Sequence, residues 1–132
     1  MTRYVDSSAV VKLYVQEPES QQATRLLAGP WTAGRHMFVE VRHALAQTLE
    51  GDELMKARDR FSTDWTATFV IELDQVTCER AAELAESAGV RTLDALHLAA
   101  AEKAGGGELP IVTFDLRLAA AARSLGWTVL GA

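Results

Sequence analysis

Residues 111–125 read IVTFDLRLAAAARSL, and their order decides the fold. Ile111-Val112-Thr113 is a short β-prone run that closes on Phe114-Asp115. The leucines and alanines that follow favour a helix until Gly126 stops it. The chain opens in the same way: Arg3-Tyr4-Val5 is a β-prone run ending at Asp6, after which Ser7 or Ser8 can cap a helix through AVVKLYV. Short apolar strands, each followed at once by a helix, predict an α/β domain around a parallel sheet.

The rest of the chain fits that plan. Pro18 suits the first turn of a helix over about 19–27, which Gly29-Pro30 stops. Residues 37–49 place Met37, Val41, Ala44, Leu45 and Thr48 at helical spacing; Gly51 ends this helix and Asp52 can cap the next, striped by Leu54, Ala57, Phe61 and Trp65. FVIELD (69–74) reads as a strand or extended link, and Thr77 can cap CERAAELAESA, closed by Gly89. Thr92 can cap a helix to about Lys103; AGGGELP is then a loop, and WTVL (127–130) a last strand. No repeat, linker or low-complexity stretch divides residues 1–132, which predicts one domain.

Composition narrows the class. Apolar residues are 48% and charged residues 23%, a globular balance. No apolar run approaches the roughly 20 residues of a membrane span. The opening MTRYVDSSAVV interrupts any signal-peptide core with Asp6 and two serines, so the cytoplasm is the expected compartment. The one cysteine, Cys78, cannot staple the fold, and reads as a small packed residue. A net charge of −5 argues against a nucleic-acid partner unless acids cluster around a metal; setting four such acids aside leaves −1.

Four acids invite that reading. Asp6 and Asp115 close the two β runs, where an open parallel sheet binds ligands beyond its strand ends. Either could equally be a plain helix cap. Asp94 lies in the first turn of TLDALHLAAA (92–101), apolar on nearly every face, with Thr92 available as the cap. Glu40 is flanked by Phe38, Val39 and Val41. Either could pair with Arg42 or Arg91, but two strand-end acids and two semi-buried helix acids together would repel unless a cation sat among them. Carboxylates without histidine or cysteine suit Mg²⁺ or Mn²⁺, which can activate water and neutralise charge on a phosphoryl group.

YVDSSAVVKLYVQEPES, FVEVRHAL, RTLDALHLAAA and IVTFDLRLAAAARSLGW together resemble the PIN-domain ribonuclease toxins, the VapC-type family of bacterial toxin–antitoxin systems, almost end to end. That resemblance implies a three-layer α/β/α fold with a short, mainly parallel sheet. It also implies a Mg²⁺- or Mn²⁺-dependent endoribonuclease that cuts structured RNA, often transfer or ribosomal RNA. Its implied partners are a cognate antitoxin, a second copy of the chain and a toxin–antitoxin hetero-oligomer, with no membrane. By position, Asp6 and Asp94 are then the principal metal ligands, Glu40 binds metal or orients water, and Asp115 completes the acidic ring. Ser8 and Thr113 match small hydroxyls that hydrogen-bond beside the site. Ser7 and Phe114 depart from residues common in relatives, without touching the acids.

Lys12, Arg42, Arg91 and Arg117 are candidates for RNA phosphate contacts. His97 and His43 each lie one turn from an acid, yet read as packed or incidental histidines in an all-oxygen site, and His36 falls in a loop. AGGGE lacks the lysine and following helix of a phosphate cradle. Trp31, Phe61 and Trp65 read as core, or in part as a groove for an antitoxin helix or a second copy. Two other readings remain: a phosphatase or phosphotransferase using Asp6 as nucleophile, and a metal-binding module without turnover. The first normally wants an acid two residues on, where Ser8 stands.

Overall fold

Val5 and Tyr4 are both fully buried, but against different layers, as period-two alternation requires. The computed structural model describes residues 3–132. Its elements run β1 (Arg3–Val5), α1 (Ser7–Val11), α2 (Ser20–Leu26), β2 (Trp31–Gly34), α3 (Met37–Thr48), α4 (Gly51–Thr66), β3 (Phe69–Ile71) and α5 (Gln75–Ala88). They continue through α6 (Thr92–Gly105), β4 (Ile111–Thr113) and α7 (Leu116–Ser124) to β5 (Val129–Gly131).

The strands order as β3-β2-β1-β4-β5, and every pairing is parallel. Val5, Ala33 and Val112 face a core shared with α1, α3 and α4, around Val10, Met37, Val41, Leu45 and Phe61. Tyr4, Ile71 and Ile111 face the opposite core, where Leu84, Leu98 and Leu118 come from α5, α6 and α7. This is the expected three-layer α/β/α arrangement. Trp31 and Phe61 are buried, and Trp65 packs on Phe61 and Phe38 at ring-centroid distances of 5.7 and 5.5 Å, which supports their reading as core. Among the described residues no helix is long and apolar enough to cross a membrane.

The chain steps from β1 outward through β2 to β3, then returns to lay β4 on the other side of β1. The crevice beyond the carboxyl ends of β1 and β4 is therefore the switch point of the sheet, where open α/β sheets bind ligands. Asp6 follows β1 and Asp115 lies two residues past β4; the register Val5↔Val112 brings their strand ends side by side.

Several boundaries differ from the sequence reading. The strand WTAG (β2) went unread, lying between Gly29-Pro30 and Gly34 with little β-branched content. Asp6, not Ser7 or Ser8, caps α1, accepting from the Ala9 N–H; Asp74, not Thr77, caps α5, accepting from both the N–H and the hydroxyl of Thr77. A carboxylate outcompetes a hydroxyl here because it accepts from two donors at once. Gly51 opens α4 rather than ending α3, and neither Asp52 nor Thr92 acts as a side-chain cap. The helix α6 runs on into the glycines, as far as Gly105, and Gly106 ends it at φ +60°. Cys78 is exposed rather than packed.

Candidate active site

Asp6 is 3% exposed and its Oδ1 accepts two hydrogen bonds, from Ser8 Oγ at 2.8 Å and from the Ala9 N–H at 3.3 Å. Burial pushes its carboxyl up to about 6, opposed by the nearby His97 and by the Ser8 and Ala9 donors. Ser8 has one proton and gives it to Asp6, so Thr113 is the donor in the 3.1 Å Ser8–Thr113 contact. Ser8 Oγ also accepts from the Phe114 N–H, and Thr113 Oγ1 from the Asp115 N–H, at 2.9 and 3.0 Å. These two hydroxyls thus tie the end of β1 to the loop after β4.

Asp115 caps α7 with Oδ1, which accepts from the Arg117 and Leu118 N–H groups at 2.8 and 3.1 Å. Its other oxygen pairs with Arg91 at 3.3 Å. The Arg91 guanidinium donates also to Asp94 Oδ2, at 2.9 Å, so one cation spans both acids. Asp94 itself is 6% exposed on the first turn of α6. Thr92 makes no cap, yet the Asp94 carboxylate is held by Arg91 rather than used on the helix end.

Glu40 sits in the first turn of α3 and receives a 2.8 Å contact from His97 Nε2. His97 is buried, its other nitrogen 2.8 Å from the Tyr4 hydroxyl, and the charges of Glu40, Asp6 and Asp94 all act to raise its pKa. Its packed character is as expected; its contact with Glu40 is not. His36, a loop residue by sequence, stands just before α3 with its ring tilted against that of His97 at a centroid distance of 4.1 Å. Burial pushes His36 down to about 4, and neither of its ring nitrogens has a partner. No sequence signal foretold this pair, since residues 36 and 97 meet only through the packing of α6 near the start of α3.

The charges of Asp6, Glu40 and Asp94 all act on His97, and Arg91 links Asp94 to Asp115. His36, Glu40 and His97 bring ligand atoms within 4.8 Å of one another, and no three of the four acids form such a group among the described residues. Arg91 neutralises Asp94 and Asp115 in place of any other cation-bearing side chain among the described residues. The donor set still fits a hard divalent ion. Asp6 is a dry carboxylate held high by desolvation, and Asp94 and Asp115 already bind positive charge through oxygen.

The basic candidates separate. Lys12 lies under Phe114 and is held by Glu17 and Glu19 at 3.1 and 3.0 Å, with a side chain 10% exposed, so it is not placed to meet a phosphate. Arg42 is half-buried against the Phe38 ring. Arg91 holds the acids, and Arg117 is exposed on the first turn of α7. His43 is exposed.

A wholly parallel three-layer sheet with carboxylates around its switch point defines the class. The PIN domain model matches residues 3–124. Ribonuclease VapC49 of Mycobacterium tuberculosis is 35% identical over 133 residues, spanning 96% of this chain and 92% of its own. Ribonuclease VapC46 of the same organism is also 35% identical, over 96% and 95%. Mycobacterium tuberculosis VapC20, a Sarcin-Ricin loop cleaving toxin, superposes along the full length of both chains with TM-score 0.76 at 20% identity. A toxin–antitoxin complex from Klebsiella pneumoniae gives TM-score 0.67 at 18% identity over 86% of each chain. The chain belongs to the PIN-domain family, among its VapC-type ribonucleases.

Proposed function

We propose that this protein is a Mg²⁺- or Mn²⁺-dependent endoribonuclease, the toxin of a toxin–antitoxin pair, hydrolysing phosphodiester bonds of structured RNA such as transfer or ribosomal RNA. The observation that carries the metal reading is Asp6, a carboxylate buried at the end of β1 with its pKa raised by desolvation. Such a group is expensive to ionise unless a cation joins it. Relatives bearing the name ribonuclease support the substrate class.

In this reading Asp6 and Asp94 hold the ion, with Glu40 and Asp115 completing the site. An ion held there would supply a water of lowered pKa and offset charge growing on the phosphate. Glu40, fixed by His97, accepts the hydrogen bond that orients the attacking water. Ser8 and Thr113 keep Asp6 in its rotamer. Arg91 releases Asp94 and Asp115 and turns to the scissile phosphate, and Arg117 meets a neighbouring phosphate. Val39, Leu93 and Leu116 are exposed large apolar side chains beside Glu40, Asp94 and Asp115, and a cognate antitoxin covering the crevice would bury them.

Expression of the wild type and Asp6→Asn in growing cells, with mapping of new RNA ends, tests this. Growth arrest and cuts with 5′-phosphate and 3′-hydroxyl ends in the wild type alone are expected. Cyclic phosphate ends would refute water attack, and a trapped aspartyl-phosphate would turn the reading to a phosphotransferase. Intact RNA with purified protein and Mn²⁺ would leave a non-catalytic module.

A further inference from the structure

Glu40 is the one site acid whose recorded side-chain partners are neutral or weakly basic groups rather than an arginine or a helix end. Its carboxylate meets His97 Nε2 at 2.8 Å, while His97 Nδ1 lies 2.8 Å from the Tyr4 hydroxyl. The Tyr4 oxygen in turn accepts the backbone N–H of Gly34 at 3.1 Å. These contacts form a single line from the end of β2, through β1 and α6, to the first turn of α3.

Proton direction along that line is determined by what each atom can donate. The Tyr4 oxygen already accepts from Gly34, and Tyr4 is fully buried, so its own proton goes to the acceptor in reach, His97 Nδ1. A neutral imidazole that accepts at Nδ1 carries its proton at Nε2, and that N–H faces Glu40. The ring of His36 lies tilted against that of His97 at a centroid distance of 4.1 Å, and His97 is buried. Gly34 admits this arrangement because a Cβ there would stand 2.6 Å from His36 Cε1 and 3.0 Å from the Tyr4 oxygen.

We infer that Tyr4 and His97 are positioning residues for Glu40: they fix His97 as the Nε2–H tautomer and hold the Glu40 carboxylate in one orientation toward the crevice. The inference rests on the nuclease reading for what Glu40 does, but not for the geometry itself. A hydrogen-bonded partner behind a working carboxylate is commonly worth about 10–100-fold in affinity or rate.

Two measurements decide it. In ¹⁵N-histidine-labelled protein without metal, at a pH high enough for the His97 imidazole to be neutral, His97 should show a protonated Nε2 and a bare Nδ1, and Tyr4→Phe should blur that preference. In cleavage assays His97→Ala should lose roughly 10–100-fold in kcat or require that much more Mn²⁺, with KM for RNA unchanged. His97→Gln, whose side-chain amide can present an N–H to Glu40, should recover most of the loss, and Tyr4→Phe should fall between. Thermal unfolding of each variant separates lost folding from lost positioning. A folded His97→Gln no better than His97→Ala would overturn the inference, as would an Nδ1–H tautomer. So would one equivalent of Zn²⁺ stripping the Nε2 proton at a His36–Glu40–His97 site, which would make these residues ligands instead. If the wild type cleaves no RNA, the nuclease reading fails while the tautomer measurement still decides the geometry.

Discussion

Replacing Asp6 with asparagine should make the metal-free protein more stable at alkaline pH while abolishing its activity. Burial raises the Asp6 carboxyl from 3.8 to about 6, so between those values the folded chain holds a proton that the unfolded chain has lost. Stability therefore falls as pH rises through that window and stays lowered above it. A shift of about two units at about 1.4 kcal/mol each gives an upper bound of about 3 kcal/mol. Asparagine can present its own Oδ1 to Ser8 and Ala9, but its amide N–H needs a new acceptor, costing roughly 1 kcal/mol or more. The net gain is then about 1–2 kcal/mol, or roughly 3–6 °C in Tm for a chain of this length. Thermal and urea unfolding in chelator at about pH 8 and about pH 4 should show the gain at the first pH and its loss at the second. Mn²⁺ at about 100 times its Kd should add roughly 2.7 kcal/mol to the wild type and nothing comparable to the variant. Equal destabilisation of Asp6→Asn at both pH values would refute the reasoning, because it would make Asp6 a structural cap and nothing more.

Other outcomes follow from named contacts. Arg91→Ala removes the cation that competes for Asp94 and Asp115; at an exposed pair worth about 0.2–1 kcal/mol, Mn²⁺ titration should show binding about 1.5- to 5-fold tighter, with slower cleavage as the phosphate contact is lost. Cleavage at sub-saturating Mn²⁺ should climb with pH up to about 6 and then flatten, since the metal requires Asp6 without its proton. Leu98→Ala, fully buried between α6 and the sheet, should cost about 2–5 kcal/mol in urea unfolding without moving the Mn²⁺ dependence. Gly34→Ala drives a Cβ into His36 and the Tyr4 oxygen and should cost about 1–3 kcal/mol, with the tautomer of His97 altered.

The layered fold was legible because strand-then-acid-then-helix recurs at Asp6 and Asp115, and the helical stripes at Met37, Val41 and Leu45 are regular. The strand β2 was not, since WTAG gains its place from pairing on both sides with β1 and β3 rather than from its own β-propensity. The caps at Asp6 and Asp74 were missed in favour of nearby hydroxyls, because two residue types with the same local preference stood within three positions. In the site, the positions of the acids were visible as strand ends and first helical turns. Arg91 as a partner for Asp94, three residues away, was also visible; its reach to Asp115, and that of His97 to Glu40, were not, because they depend on side-chain packing across 24 and 57 residues of sequence. His97 is packed, as its helix suggests, but hydrogen bonding to an acid is a further use for an imidazole that spacing in sequence does not reveal.

Anomalous diffraction from crystals soaked in Mn²⁺ shows whether Asp6 and Asp94 share one ion. A peak in direct contact with the carboxylates of Asp6 and Asp94, with Arg91 swung away from Asp94, is the expected result. Full Mn²⁺ occupancy elsewhere, or no peak in the crevice while Arg91 keeps both acids, would contradict it.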